Sequence, residues 1–278
     1  MKKYIVIAGA SSGIGLELTK KFLDDNAKVF ACSRSKKNLK KNKNLIVFDK
    51  CDVSKEKDIK RFVRKVKQKT KKIDILINCA GFFGPIGPFY KNKSEDWIYT
   101  IKTMVFGTFL MSKHLVPLLK KSIKPTIINF SGGGAFNPFP NYSAYATSKS
   151  AVVRLTENMA TELKKYKIVV NAIAPGFVLT DIHKKTLKAG PKKSGKKHYE
   201  ETKKKIIRDS VPISKVIDCI KFLISDSGRK ISGKTISASF DPWDKEIFAK
   251  KHLEINKSSL YTMQRINLIH LKKEIFEK

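Results

Sequence analysis

The chain predicts an α/β fold: a doubly wound parallel sheet of about seven strands with helices on both faces. Three observations carry this. Short runs of almost wholly apolar residues alternate with helical-period segments at least six times along 278 residues, the pattern of strands joined by helical crossovers. The runs are continuously apolar rather than alternating, as in strands covered on both faces. A glycine-rich turn joins the first run to the first helix. No Pro/Ser/Gly-rich linker divides the chain, so residues 1–239 read as one unit and 240–278 as an extension.

Tyr4 to Ala8 reads as the first strand, and Gly9-Ala10-Ser11-Ser12-Gly13-Ile14-Gly15 leads into a helix through Phe22. Lys28 to Cys32, Leu45 to Phe48 and Ile73 to Ile77 read as strands two to four, with a helix over Lys55 to Gln68. A single long helix is expected from Ser94 to about Leu119. Thr126 to Phe130 is strand five, after which Ser131 and three glycines, then a passage with Pro138, Pro140 and Asn141, precede a helix over Ala144 to Leu163. Ile168 to Ile173 is strand six, Val216 to Ile224 a helix, and Lys234 to Ala238 the last strand. Residues 181–210, Lys-rich with Gly190, Pro191 and Gly195, have the length and composition of a lid. The tail to Lys278 looks helical; Asp241 and Trp243 either reach the site or help cover apolar surface.

The formal charge is +34, but fifty-one lysines against seven arginines, spread along the whole chain, describe a compositional bias. No Arg and aromatic interleaving marks a nucleic-acid surface, so no specific nucleic-acid partner is expected. Neither a signal-peptide apolar region nor an apolar stretch of membrane-spanning length is present, and a cytoplasmic protein is expected. Cys32, Cys51, Cys79 and Cys219 form no Cys-x-x-Cys pair, and the five histidines are dispersed. Reduced thiols and no metal are the expectation.

Tyr145 and Lys149 are one turn apart on one predicted helix face. A Lys ammonium roughly 4 Å from a phenol supplies about 4 kcal/mol towards ionising it, enough to bring a pKa near 10 into the neutral range. The plain alternative is two residues sharing a solvated face. The glycine turn Gly9 to Gly15 suits close approach of a pyrophosphate at a helix N-terminus. At the end of strand two, where a carboxylate would hold the ribose hydroxyls of NAD, stand Ser33 and Arg34, followed by Ser35, Lys36 and Lys37. Hydroxyls and a guanidinium suit a 2′-phosphate, so NADP(H) is preferred and NAD(H) possible. Arg34 as one more surface cation is the alternative.

With Cys51-Asp52-Val53, Asn78-Cys79-Ala80-Gly81 and Ala174-Pro175-Gly176-Phe177-Val178-Leu179-Thr180 in the same order, the chain from Lys3 to about Ser239 resembles the short-chain dehydrogenase/reductase family. The resemblance implies a Rossmann-type fold and reversible hydride transfer between a nicotinamide cofactor and a carbonyl or secondary alcohol. Tyr145 is then the acid/base and Lys149 its partner. Gly9, Ser11, Ser12, Gly13, Ile14, Gly15, Asp52, Val53, Asn78, Ala80, Gly81, Pro175, Gly176, Val178 and Thr180 then line the cofactor with Ser33, Arg34, Tyr145 and Lys149. Asp52 could equally cap the next helix, and Asn78 brace the sheet. The apolar loop Phe82 to Phe89 is expected to wall the substrate pocket. A homodimer or homotetramer is implied, pairing the helices over 94–119 and 145–165 through Phe109, Met111, Val152, Leu155 or their face neighbours, with Gly107 at the tight contact.

Two positions depart from the pattern. The family's carbonyl-polarising Ser, thirteen residues before the Tyr, falls on Gly132, and its Asn, three before Gly107, falls on Met104. Ser131 or the glycine-loop amides are the candidate replacements. The alternatives to a carbonyl reductase are a cofactor-binding sensor or partner subunit with little catalysis, and a hydride-linked epimerase or dehydratase.

Overall fold

Each apolar run becomes a strand. The computed structural model describes residues 2–35, 38–40 and 42–264. The strands are β1 (Tyr4–Ala8), β2 (Lys28–Ser33), β3 (Leu45–Lys50), β4 (Ile75–Asn78), β5 (Thr126–Phe130), β6 (Val169–Ala174) and β7 (Thr235–Ser237). The helices are α1 (Gly13–Asp24), α2 (Glu56–Lys69), α3 (Ser94–Ile101), α4 (Gly107–Leu119), α5 (Ser143–Leu163), α6 (Asp181–Ser194), α7 (Lys196–Ile207), α8 (Ile213–Leu223), α9 (Glu246–Lys250) and α10 (His252–Lys257).

All seven strands pair in parallel in the order β3-β2-β1-β4-β5-β6-β7. The order reverses between β1 and β4, which opens a crevice at their carboxyl ends, the place where such sheets take ligands. One face is covered by Leu18, Phe22 and Leu23 of α1 and by Val216, Ile220 and Leu223 of α8. The other is covered by Ile59 and Phe62 of α2, Met111 and Leu115 of α4, and Met159 of α5. Polar side chains brace the middle of the sheet: Asn78 Nδ2 donates to Asn129 Oδ1 at 2.9 Å, and Asn129 Nδ2 donates to Thr156 Oγ1 on α5 at 2.9 Å.

The structure corrects one expectation and adds detail to two others. The helix over 94–119 is not continuous: between α3 and α4 the residues Lys102–Phe106 form a π-helical turn. Such turns insert an extra residue and re-aim the faces on either side. The segment over 181–210, expected to act as a lid, is mostly helical, with Gly190 at φ 73° inside α6 marking a change of direction. A left-handed residue cannot continue the helix, and Gly adopts it without steric cost.

For the tail, the sequence leaves two readings, reaching the site or covering apolar surface. Trp243 is buried on the core beside Phe222 and Phe248, with its indole N–H donating to the Ala238 carbonyl at 3.0 Å. It covers apolar surface and does not enter the site. Further on, the Thr235 N–H of edge strand β7 donates to the Tyr261 carbonyl at 2.8 Å, and the Met263 N–H donates to Glu157 Oε1 of α5 at 2.7 Å. The tail therefore straps β7 to α5. The expected helix beyond 264 lies outside the described residues.

Candidate active site

The glycine turn is fixed by backbone crowding. A Cβ on Gly15 would stand 2.2 Å from the Gly9 carbonyl oxygen, and one on Gly9, at φ +88°, would stand 2.8 Å from the Ala80 backbone. No side chain fits at either position, so the turn after β1 presses directly on Cys79 and Ala80 after β4. Gly13 faces Thr180, whose Cγ2 would lie 3.4 Å from an added Cβ. Ser12 precedes α1 in extended backbone with no side-chain cap, which leaves the first amides of α1 to an anion. Ile14 packs on the core, and the Ser11 carbonyl accepts from Asn38 Nδ2 at 2.9 Å. This cradle fits a dinucleotide pyrophosphate.

At the adenosine end, Ser33 is buried and its hydroxyl donates to the Ser35 carbonyl. Arg34 donates to the Tyr99 hydroxyl at 3.3 Å, which donates to Asp52 Oδ2 at 3.2 Å. Asp52 also accepts from the Ser54 N–H at 3.0 Å and from its hydroxyl at 2.7 Å, so it shapes the turn before α2 while facing the groove. Lys36 and Lys37 lie outside the described residues. Val53 packs on Gly107, where a Cβ would stand 2.9 Å from Val53 Cγ2. The tight contact expected of Gly107 is thus made inside this chain. Asn78 spends its amide N–H groups on Asn129 and on Ser112, the latter at 3.2 Å, while its buried Oδ1 has no partner.

The catalytic candidates meet where β5 breaks into glycines. Tyr145 is buried, and its ring meets the edges of Phe83 at 4.9 Å and Phe139 at 6.3 Å. Lys149 Nζ lies 5.5 Å from the centre of the Tyr145 ring and donates to the Phe130 carbonyl at 2.7 Å. Burial pushes the Tyr145 phenol above its ordinary value and pulls the Lys149 ammonium down to about 8. The expected depression of the tyrosine is absent, because the ammonium is turned to a backbone carbonyl and both groups are desolvated.

Gly132 has a definite spatial reason: a Cβ there would stand 2.3 Å from the Tyr145 hydroxyl oxygen. The phenol occupies the room that a serine side chain would need. Ser131 beside it is buried, and its Oγ has no partner. Met104, on the π-helical turn, is fully buried with its Sδ 3.4 Å from where a Gly81 Cβ would be. It fills the space of an amide with a thioether that donates no hydrogen bond.

The family model for the short chain dehydrogenases matches residues 3–190. The chain belongs to that family. It is 33% identical over 249 residues to the 3-oxoacyl-[acyl-carrier-protein] reductase FabG of Thermotoga maritima, covering 84% of this chain and 95% of the relative. Among solved structures it resembles ElxO with NADP bound, at TM-score 0.73 and 26% identity over 86% of this chain and 97% of that one. It also resembles 4-hydroxyisoleucine dehydrogenase complexed with NADH, at TM-score 0.68 and 27% identity over 85% and 96%. This is an NAD(P)-dependent oxidoreductase with a Rossmann-type fold.

In this short-chain dehydrogenase the loop after β6 continues into α6. Gly176, at φ +77°, would bring a Cβ within 2.6 Å of Ser239 Oγ. Pro175 precedes it, Val178 is buried in the core, and Thr180 caps α6 in extended backbone. Helices α6 and α7 then supply residues that sequence reading passed over. His183 stacks on Phe177 at 3.8 Å, and His198 meets Phe139 at 4.8 Å. Burial holds His183 down at about 4 and lowers His198 as well, so both imidazoles are neutral at pH 7. Phe139 and Tyr142 stack at 4.4 Å, and the Tyr142 hydroxyl shares a hydrogen bond with Thr186 Oγ1 at 2.8 Å. Phe83, Phe139 and Tyr142 thus form one aromatic wall with Tyr145. Phe83 belongs to the apolar loop read from the sequence as a pocket wall; for Phe139 and Tyr142 the signal was three aromatic residues within seven positions, Phe139 to Tyr145. Among the described residues no group of three or more His, Cys, Asp or Glu could hold a metal, and no helix is long and apolar enough to cross a membrane.

Proposed function

We propose that this dehydrogenase interconverts a carbonyl and a secondary alcohol with NADP(H), Tyr145 giving or taking the hydroxyl proton. The observation that carries this is the meeting of Tyr145 with Gly132 and of Lys149 with the Phe130 carbonyl at the carboxyl end of β5, with Gly81 next to Lys149 and the buried Ser131 hydroxyl unpartnered in the same stretch. A bound nicotinamide supplies or accepts the hydride there. Lys149, anchored on the Phe130 carbonyl, holds a positive charge near the phenol and the ribose. The unpartnered Ser131 hydroxyl, with the amides of the glycine loop, takes the polarising part of the missing serine. Losing one such donor costs on the order of 10² to 10³ in rate.

NADP(H) over NAD(H) rests on Ser33 and Arg34 with no carboxylate at the end of β2. Gly9, Ser11, Ser12, Gly13, Ile14, Gly15, Asp52, Val53, Ala80, Gly81, Pro175, Gly176, Val178 and Thr180 belong to the same cofactor groove. Asn78 supports it from inside the sheet. The same reading includes a cytoplasmic setting and a cofactor-binding unit over 1–239 with an extension over 240–278. It also includes a homodimer or homotetramer. Met111 and Val152 face their own core and are removed from that interface, whereas Phe106 and Phe109 are exposed on the α4 side and support it.

Purified full-length chain assayed with NADPH and a panel of ketones and keto sugars tests the reading. Tyr145→Phe should abolish turnover with NADPH affinity retained, and Ser131→Ala should lower turnover by about one to three decades. Turnover surviving Tyr145→Phe would remove the assignment. The phenol raised by burial and the absent Ser and Asn favour a second reading, a cofactor-binding sensor. NADPH bound tightly with no substrate consumed would establish it.

A further inference from the structure

Two cations from different parts of the chain gather on one aromatic ring. Phe82 leaves the turn after β4 and packs against Tyr99 at 5.7 Å. The guanidinium of Arg34, just past β2, stands 5.5 Å from the centre of the Phe82 ring. The ammonium of Lys185, on the second turn of α6, stands 5.4 Å from the same centre. A ring attracts an exposed cation by roughly 0.5–1 kcal/mol and neutralises nothing. Among the described residues neither cation has a carboxylate in ion-pairing range: Asp181, at the start of α6, pairs with Lys184 at 2.8 Å, and Asp52 reaches Arg34 only through the Tyr99 hydroxyl.

Two further contacts set this pair over the phosphate path. Thr180, the cap of α6, lies against Gly13 of the glycine turn. Asn38, on the segment after Arg34, donates to the Ser11 carbonyl of that turn at 2.9 Å. The start of α6 therefore borders the groove between the glycine turn and Arg34, with the exposed Lys185 ammonium over Phe82. An anion entering the groove relieves the repulsion between the two cations and gains from both.

We propose that Lys185 is a second phosphate-binding cation for the dinucleotide, contributed by the lid and acting with Arg34 across Phe82. The proposal rests on the cofactor site described above and adds a residue that links cofactor charge to the position of the lid. Charge alone is the requirement, so Arg serves in its place and a neutral side chain does not.

The test is the dissociation constants of NADPH and NADH, by quenching of protein fluorescence, for the full chain, Lys185→Gln, Lys185→Arg and Lys188→Gln. Lys188 is an exposed lysine of the same helix and controls for overall charge. Lys185→Gln should weaken NADPH about five- to twentyfold at low salt, with Lys185→Arg near wild type and Lys188→Gln within about twofold. A smaller loss for NADH assigns Lys185 to the 2′-phosphate, and an equal loss assigns it to the pyrophosphate. If Lys185→Gln matches Lys188→Gln for both dinucleotides while the wild type binds them, the proposal is wrong and the cofactor site stands. If the wild type binds neither, both fall.

Discussion

Gly15 and Gly132 exclude a side chain at nearly the same distance and for opposite reasons. At Gly15 the atom in the way is a backbone oxygen, Gly9 O, 2.2 Å from an added Cβ; at Gly132 it is the tip of a side chain, Tyr145 Oη, at 2.3 Å. The first contact is part of the chain path and has nothing that can rotate away. The second is made by a phenol that can swing, within the limits set by Phe83 and Phe139 around it. The glycine turn proposed to hold the cofactor is thus built by backbone fit. The proposed catalytic half is built by side chains that have taken each other's room, which is how a serine position can be lost while the tyrosine remains.

The largest effect is expected from Gly15→Ala, which forces the turn apart. NADPH binding should fall at least a hundredfold, and stability by roughly 2–4 kcal/mol, measured by titration and by denaturant midpoint. Wild-type binding would mean that the two halves do not differ as described. Next is Gly132→Ser, which restores the family's hydroxyl in sequence but displaces the phenol. Turnover should drop about ten- to a hundredfold with NADPH affinity within about twofold. A rise in turnover would show that the tyrosine yields freely and the serine is tolerated.

A third effect sharpens the contrast through pH. Burial holds Lys149 at about 8 in the folded chain, against an ordinary value of 10.5. Between those values the unfolded chain binds more protons, so this group's contribution makes stability rise with pH across the window; below about 8 its full penalty is present. Denaturant midpoints for wild type should climb relative to Lys149→Met from about pH 8 to 10.5, by less than about 3 kcal/mol. Parallel curves would remove the buried ammonium from the account. The smallest effect is expected at Gly133, where an added Cβ meets nothing within 4 Å. Gly133→Ala should change stability by no more than about 0.5 kcal/mol, and a large loss of turnover would show that substrate or cofactor needs that space.

What the amino-acid sequence determined by itself is whatever depends on near neighbours along the chain. Continuous apolar runs such as Ile5-Val6-Ile7 have no polar face to expose, so they lie inside a covered parallel sheet. A strand, glycines and a helix in succession make a pyrophosphate turn, and a spacing of four sets Tyr145 and Lys149 on one helix face. What only the tertiary structure decided depends on which distant groups come within a few ångströms. Lys149 turned to the Phe130 carbonyl instead of the phenol, Met111 turned inwards onto the sheet-covering core, and Val152 is buried. The π-helical turn at Met104 arose inside a pattern that local periodicity reads as one helix. Arg34 and Lys185 are remote in sequence and met on Phe82 only when the lid folded over the groove. Spacing along the chain carries secondary structure and helix faces; long-range contacts, with the desolvation they bring, set the charge states and the room left at each glycine.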